Sequence, residues 1–229
     1  MRIVITGDST ASDYAPEHAP RTGWGQALAA RGDLVVSNHA LSGASTGSFI
    51  EAGLLDAALA ELRPGDALLV CFGHNDPKPD HRYTDADTAF PANLRRFVAG
   101  ARERGAVPVL LTPIERRHFV GDVLETTHGP YPDRTRTVAR EDDVALIDLT
   151  LGTRRLWQSQ GVEASKDSFL WLAPGEWPGY PDGEQDDTHL SAAGASLVAE
   201  LVLEGLLAHG IVAVADRPDQ GAEAAAAAR

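Results

Sequence analysis

The sequence predicts an α/β protein with a five-stranded parallel sheet and helices on both of its faces. Three observations point there. Short β-branched or aliphatic runs alternate with longer helical patterns along the chain. Each run is bounded by Gly, Pro, Asp or Asn, as expected of strands buried on both faces. The composition is ordinary globular usage, with 43% hydrophobic and 23% charged residues among 229. A chain of this length buries roughly 70% of its unfolded surface, enough for cores on both faces of a sheet.

In chain order, strands are expected at Arg2–Thr6, Leu34–Ser37, Ala67–Phe72, Val107–Leu111 and Val144–Ile147. Helices are expected near Gly25–Ala30, Leu54–Leu62, Asn93–Arg104 and Arg134–Asp142. Such alternation implies right-handed crossovers, hence a parallel sheet with a helix layer on either side. A last helix, Ala192–His209, places Leu197, Val198, Leu201, Val202 and Leu206 at helical spacing, with Ser191 as N-cap and Gly210 as stop. Between them, Arg154–Pro181 reads as a long irregular segment carrying Trp157, Trp171, Trp177 and Tyr180. Loops of that length in compact domains are often functional. The pattern predicts a single domain over residues 1–215 and a disordered tail over 216–229.

Charge and cysteine content exclude several function classes. Lys and Arg number 20 against 33 Asp and Glu, a formal charge of −13. Binding to a phosphate backbone needs clustered cations, so a nucleic-acid partner is not expected. A polybasic membrane anchor is not expected either. No run approaches the ~20 apolar residues of a membrane span. The six residues before Gly7-Asp8 are too few for a secretory leader. A single Cys allows no intrachain disulfide. Together these features predict a cytoplasmic chain acting on small molecules.

In a parallel sheet, sites gather at the carboxyl ends of the strands. Strand one runs into Gly7-Asp8-Ser9-Thr10, where a Ser on a sharp strand-to-helix turn can present its hydroxyl. Strand two leads to Asn38-His39-Ala40-Leu41-Ser42-Gly43, and a Gly there lets backbone approach a ligand closely. Strand three ends in Gly73-His74-Asn75-Asp76, whose Asn75 amide can donate to a developing oxyanion. Asp186-Asp187-Thr188-His189 precedes the last helix, and a carboxylate three residues before a His on a turn can orient its ring as a base. Taken singly, each has a bland reading: a turn, an N-cap, an Asx turn, a satisfied histidine. Together they supply every part of an acyl-transfer site.

Gly7-Asp8-Ser9, Gly43, Gly73-His74-Asn75-Asp76 and Asp186-Asp187-Thr188-His189 resemble the four blocks of the SGNH (GDSL) hydrolases, in order and across most of the chain. Gly23-Trp24-Gly25, Asn38-His39-Ala40, Thr112-Pro113-Ile114 and Arg116-Arg117-His118-Phe119 add similarity to the rhamnogalacturonan acetylesterase-like branch. The resemblance implies a flavodoxin-like three-layer α/β/α sandwich and no metal or other cofactor. It implies Ser9 as nucleophile, His189 as base and Asp186 as the acid that orients it. The oxyanion hole would be the Ser9 and Gly43 amides with Asn75. Trp24, His74 and Trp177 are candidates for lining the cleft. One departure stands out. The branch often carries Gly-Arg-Ser and then Arg-Ser/Thr-Phe in its second block, whereas this chain reads Gly43-Ala44-Ser45-Thr46-Gly47-Ser48-Phe49. The two missing arginines leave open whether a galacturonate-containing backbone is the substrate.

Other assignments compete. Gly43-Ala44-Ser45-Thr46-Gly47 fits the Gly-x-Ser-x-Gly elbow, but a polar stretch from Asn38 to Ser42 separates Ser45 from its strand. Asp187 competes with Asp186 as the acid; the i, i+3 spacing of Asp186 matches the family block. The histidines and acids of the first two thirds show no metal-ligand spacing. The expectation is a serine esterase acting on acetylated carbohydrates, rhamnogalacturonan or related oligosaccharides. The alternatives are a broad short-chain, xylan or antibiotic acetyl esterase, and an inactive carbohydrate-binding protein.

Overall fold

A computed structural model describes residues 1–213. The expected tail, 216–229, lies outside the described residues. The strands and helices run β1 (Ile3–Gly7), α1 (Trp24–Ala30), β2 (Val36–Asn38), α2 (Thr46–Glu51), α3 (Leu54–Glu61), β3 (Ala67–Cys71), α4 (Ala89–Glu103), β4 (Val107–Leu111), β5 (Phe119–Val120), β6 (Val123–Leu124), α5 (Tyr131–Glu141), β7 (Ala145–Ile147), α6 (Leu149–Ala164), β8 (Phe169–Leu172), β9 (Glu184–Leu190) and α7 (Ala192–Ala208).

Five of these strands form one parallel sheet in the order β2-β1-β3-β4-β7. This is the doubly wound flavodoxin-like order, and its switch point lies between β1 and β3. Side chains alternate across the sheet with the strand period of two. Ile3 and Ile5 of β1, Leu69 and Cys71 of β3, and Val109 and Leu111 of β4 share a core with Trp24 and Leu28 of α1 and with Val198, Val202 and Leu206 of α7. Val4, Leu68, Val70 and Leu110 face the opposite core, against Leu55 and Leu59 of α3 and Leu94, Phe97 and Val98 of α4. Phe49, Phe72 and Phe97 pack ring on ring there, with centroids 5.3 to 5.9 Å apart.

Two expectations are corrected. Residues 154–164 do not form a long irregular loop but belong to α6, which is kinked at Gly161 (φ +75°) and capped by the Asp148 side chain accepting from the Leu151 N–H at 3.1 Å. The inward face of α6 carries Thr150 and Thr153 beside Leu149 and Trp157. The Thr hydroxyls satisfy themselves on the Pro113 and Leu149 carbonyls, so a polar-looking stripe is buried. The last block is also not on a free turn. It lies within β9, which pairs antiparallel with β8. The register runs Leu172↔Glu184, Trp171↔Gln185, Leu170↔Asp186, then jumps to Phe169↔Leu190. Asp187, Thr188 and His189 therefore bulge out of the ladder, and a bulge re-aims side chains.

No helix among the described residues is long and apolar enough to cross a membrane.

Candidate active site

The site forms at the carboxyl edge of the sheet. Gly7 ends β1 with its α-carbon against β3, where a β-carbon would meet the Cys71 carbonyl oxygen at 2.9 Å. Directly after it, Asp8 turns inward and is fully buried. Its Oδ1 accepts from the Thr10 N–H at 2.9 Å and the Thr10 hydroxyl at 2.8 Å. That local clamp, with the Tyr14 hydroxyl donating to the Ser9 carbonyl at 2.6 Å, fixes the turn that presents Ser9. Burial raises the Asp8 carboxyl to about 6, against the opposing pull of its Thr10 bonds.

Ser9 is 7% exposed, and its Oγ lies 3.0 Å from His189 Nε2. The other ring nitrogen, Nδ1, lies 2.5 Å from Asp186 Oδ2. The bulge makes this pair possible. Asp186 Oδ1 accepts the backbone N–H groups of Thr188 at 2.7 Å and His189 at 3.0 Å, folding the three extra residues around its carboxylate. Partial burial pushes the Asp186 carboxyl up, but the hydrogen bond and charge of His189 and those two N–H groups outweigh it, bringing it to about 2. The acid is thus ionised across the neutral range, as a group that holds an imidazolium must be.

The donors come from two further loops. Gly43 sits at φ +82° in the loop after β2, a conformation that suits Gly. Among the described residues, neither the Ser9 N–H nor the Gly43 N–H donates to a protein acceptor. Asn75 Nδ2 donates to the Ala44 carbonyl at 3.0 Å, which orients the amide and anchors the loop that carries Gly43. Asp76 reinforces that anchor by accepting the Thr46 N–H at 2.9 Å and the Thr46 hydroxyl at 2.6 Å. Burial, the dominant influence, raises Asp76 to about 6.

The competing residues have other work. Ser45 is fully buried and caps α2, its hydroxyl accepting from the Ser48 N–H in a reciprocal capping box. Asp187 turns away from His189; its Oδ1 meets Arg117 Nη1 at 2.8 Å and Trp171 Nε1 at 2.8 Å. Trp24 and His74, expected to line the cleft, are 0% and 1% exposed. Trp24 is drawn into the core beneath α1 because its indole packs with the apolar face of the sheet. His74 packs edge to face on His128 with centroids 4.4 Å apart. Neither offers a surface to a sugar. Trp177 is half-buried in the loop between β8 and β9, bridged to Tyr180. That loop is tied down through the Tyr180 hydroxyl, which donates to the His18 carbonyl at 3.3 Å.

Arg116 received no role from the sequence. The run after β4 was legible only as a motif, although the same logic that singled out Ser9 and Asn75 applies to the end of every strand. In the structure its guanidinium donates to the His74 carbonyl at 3.3 Å.

The chain is similar to known proteins. Residues 5–197 match the model of the GDSL-like lipase/acylhydrolase family. The chain is 46% identical over 210 residues to rhamnogalacturonan acetylesterase RhgT of Bacillus subtilis, covering 90% of this chain and 89% of that protein. It is 34% identical over 209 residues to the probable rhamnogalacturonan acetylesterase YesY of the same organism, covering 89% and 91%. The crystal structure of protein YxiM of Bacillus subtilis superposes with a TM-score of 0.77 at 27% identity, over 92% of this chain and 57% of that one. Axe2, an acetylxylan esterase from Geobacillus stearothermophilus, shares the fold with a TM-score of 0.62 at 16% identity, over 90% and 93%. With its sheet order, its blocks and these relatives in agreement, the chain belongs to the GDSL-like lipase/acylhydrolase family.

Proposed function

We propose that the chain is a serine esterase that removes acetyl groups from acetylated carbohydrates of the rhamnogalacturonan class. The observation that carries this reading is the linear relay from Ser9 Oγ through His189 to Asp186, at 3.0 and 2.5 Å. The activities for which RhgT and YesY are named support the choice of an acetyl ester on a pectic sugar.

In this reading His189 Nε2 takes the Ser9 proton as Oγ bonds to the acetyl carbonyl carbon. The carbonyl π pair moves onto oxygen, which the Ser9 and Gly43 N–H groups and the Asn75 amide hold. Collapse re-forms the carbonyl and breaks the bond to the sugar oxygen, which leaves with the proton from His189. Water then attacks acetyl-Ser9 by the same route, releasing acetate and restoring the hydroxyl. Asp186 stays ionised throughout and stabilises the imidazolium. Acetyl needs little room, so a nucleophile that is 7% exposed suffices.

The test is mass spectrometry of an acetylated oligosaccharide panel before and after enzyme. Loss of acetyl mass from rhamnogalacturonan oligosaccharides, abolished in Ser9→Ala, is expected. A Ser9→Ala protein that releases acetate at the wild-type rate overturns the mechanism. Intact oligosaccharides beside rapid cleavage of other esters overturn the substrate class.

A further inference from the structure

Two adjacent arginines after β4 meet opposite fates. Arg117 is buried and fully engaged. It pairs with Asp187 at 2.8 Å, donates to Ser165 Oγ at 3.1 Å and to the Val162 carbonyl, and lies over the Trp171 ring at 4.8 Å. Arg116 is only half-buried, yet its guanidinium has a single protein acceptor among the described residues, the His74 carbonyl at 3.3 Å. It makes no ion pair among them. A guanidinium carries five N–H donors in a planar fork, so most of this one is unanswered. Asp8, Glu115 and Asp186 act on its charge, but none of them pairs with it, so the planar fork is free to take a carboxylate.

The position of Arg116 says what that anion accompanies. The carbonyl it touches belongs to the residue before Asn75, and its charge acts on both Asp8 and Asp186. The guanidinium therefore stands at the rim of the Ser9 site. The side of the site at Gly43 is different. An open hollow of about 560 Å³ beside Gly43 is lined by Leu41, Ser48, Glu51, His81 and Arg82. Arg82 is already held by Asp80, with Nε 2.9 Å from Oδ1, and Glu51 adds negative charge. That side suits a neutral sugar. Ala44 and Gly47 offer no charge there.

We infer that Arg116 binds the carboxylate of a uronate residue in the acetylated oligosaccharide held at Ser9, making the enzyme selective for anionic over neutral acetylated sugars. The inference rests on the esterase reading and deepens it. The planar fork matches a carboxylate with two parallel hydrogen bonds, a geometry Lys lacks.

The experiment compares kcat/KM for an acetylated oligosaccharide containing galacturonate with that for an acetylated xylo-oligosaccharide. The measured quantity is the ratio of the two, so a general loss of activity cancels. Arg116→Gln is expected to lower the ratio by about 10- to 100-fold, mainly through KM, and Arg116→Lys to restore part of it. In the wild type, galacturonate is expected to inhibit hydrolysis of p-nitrophenyl acetate where galactose does not, and added salt to weaken that inhibition. This second measurement needs no variant. An unchanged ratio in Arg116→Gln, or equal inhibition by galacturonate and galactose, overturns the inference. Both outcomes leave Ser9-dependent hydrolysis intact, whereas failure of the esterase reading appears as activity that survives Ser9→Ala.

Discussion

Asp186 and Asp187 are adjacent in the chain and serve unrelated ends. Asp186 Oδ2 meets His189 Nδ1 at 2.5 Å, while Asp187 Oδ1 meets Arg117 Nη1 at 2.8 Å. The bulge that begins after Asp186 re-aims the side chains that follow, so two like carboxylates in a row are divided between the site and the structure. Asp186→Asn is expected to lower kcat by up to about 10⁴ with the fold intact, because the imidazole loses its orientation and its counter-charge. Asp187→Ala leaves Arg117 buried without its partner and is expected to cost about 1–3 kcal/mol of stability. Parallel kinetics and thermal melts separate the two; a matching loss of kcat in both variants would refute the division.

Asn75 is expected to show a transition-state effect. Its amide donates one proton to the Ala44 carbonyl at 3.0 Å and keeps another for the oxyanion. Asn75→Ala is expected to lower kcat by about 10²–10³ with little change in KM. A rise in KM alone, measured by steady-state kinetics on acetyl esters, contradicts this role.

Buried groups around the site pull stability in opposite directions with pH. Burial, aided by the charge of Arg116, lowers His128 to about 3, and burial with the neighbouring His128 lowers His74 well below its usual value. Between about pH 6 and 4 the unfolded chain takes up protons that these histidines refuse, so they make stability fall as pH falls. Asp8 and Asp76, raised to about 6, are protonated in the native state where the unfolded carboxyls are ionised. Their contribution is largest below the unfolded value and is lost as pH rises through about 6. The two pairs offset each other, so a shallow pH dependence of Tm is expected in this window. Asp8→Asn removes one acid and is expected to steepen the acid fall by about 1.4 kcal/mol per pH unit. Calorimetry at closely spaced pH values tests this; an Asp8→Asn curve parallel to the wild type counts against it.

Gly194 lets the first turn of α7 sit on the Ser168 carbonyl, and a β-carbon there would collide with that oxygen. Gly194→Ala is expected to cost about 1–3 kcal/mol or more through overpacking. Since α7 starts just after His189, activity is expected to fall along with Tm. A variant with wild-type stability would show that the helix can shift freely.

The sequence alone determined the sheet and its two faces. The apolar runs at Ile3–Ile5, Ala67–Cys71 and Val107–Leu111 can be hidden only as strands covered on both sides, and the helical spacing between them demands crossovers. It also placed Ser9 and Asn75, because a parallel sheet gathers the loops after its strands at one edge, and it marked the Asp186–His189 block by its i, i+3 spacing. Facts of burial and pairing lay beyond it. A helix whose inward face is Thr150 and Thr153 looks polar until its hydroxyls find the carbonyls of Leu149 and Pro113. An i, i+3 Asp–His pair reads as a turn until β8 is seen to skip three residues of β9. The tryptophan at position 24 looks like a platform for sugars until its ring is found at 0% exposure. Adjacent Arg116 and Arg117 are alike in the chain, and only the tertiary structure gives Arg117 a carboxylate and Arg116 a single backbone carbonyl. Periodicity reports which side of an element is apolar, whereas the partner of a polar group depends on segments far away in the chain.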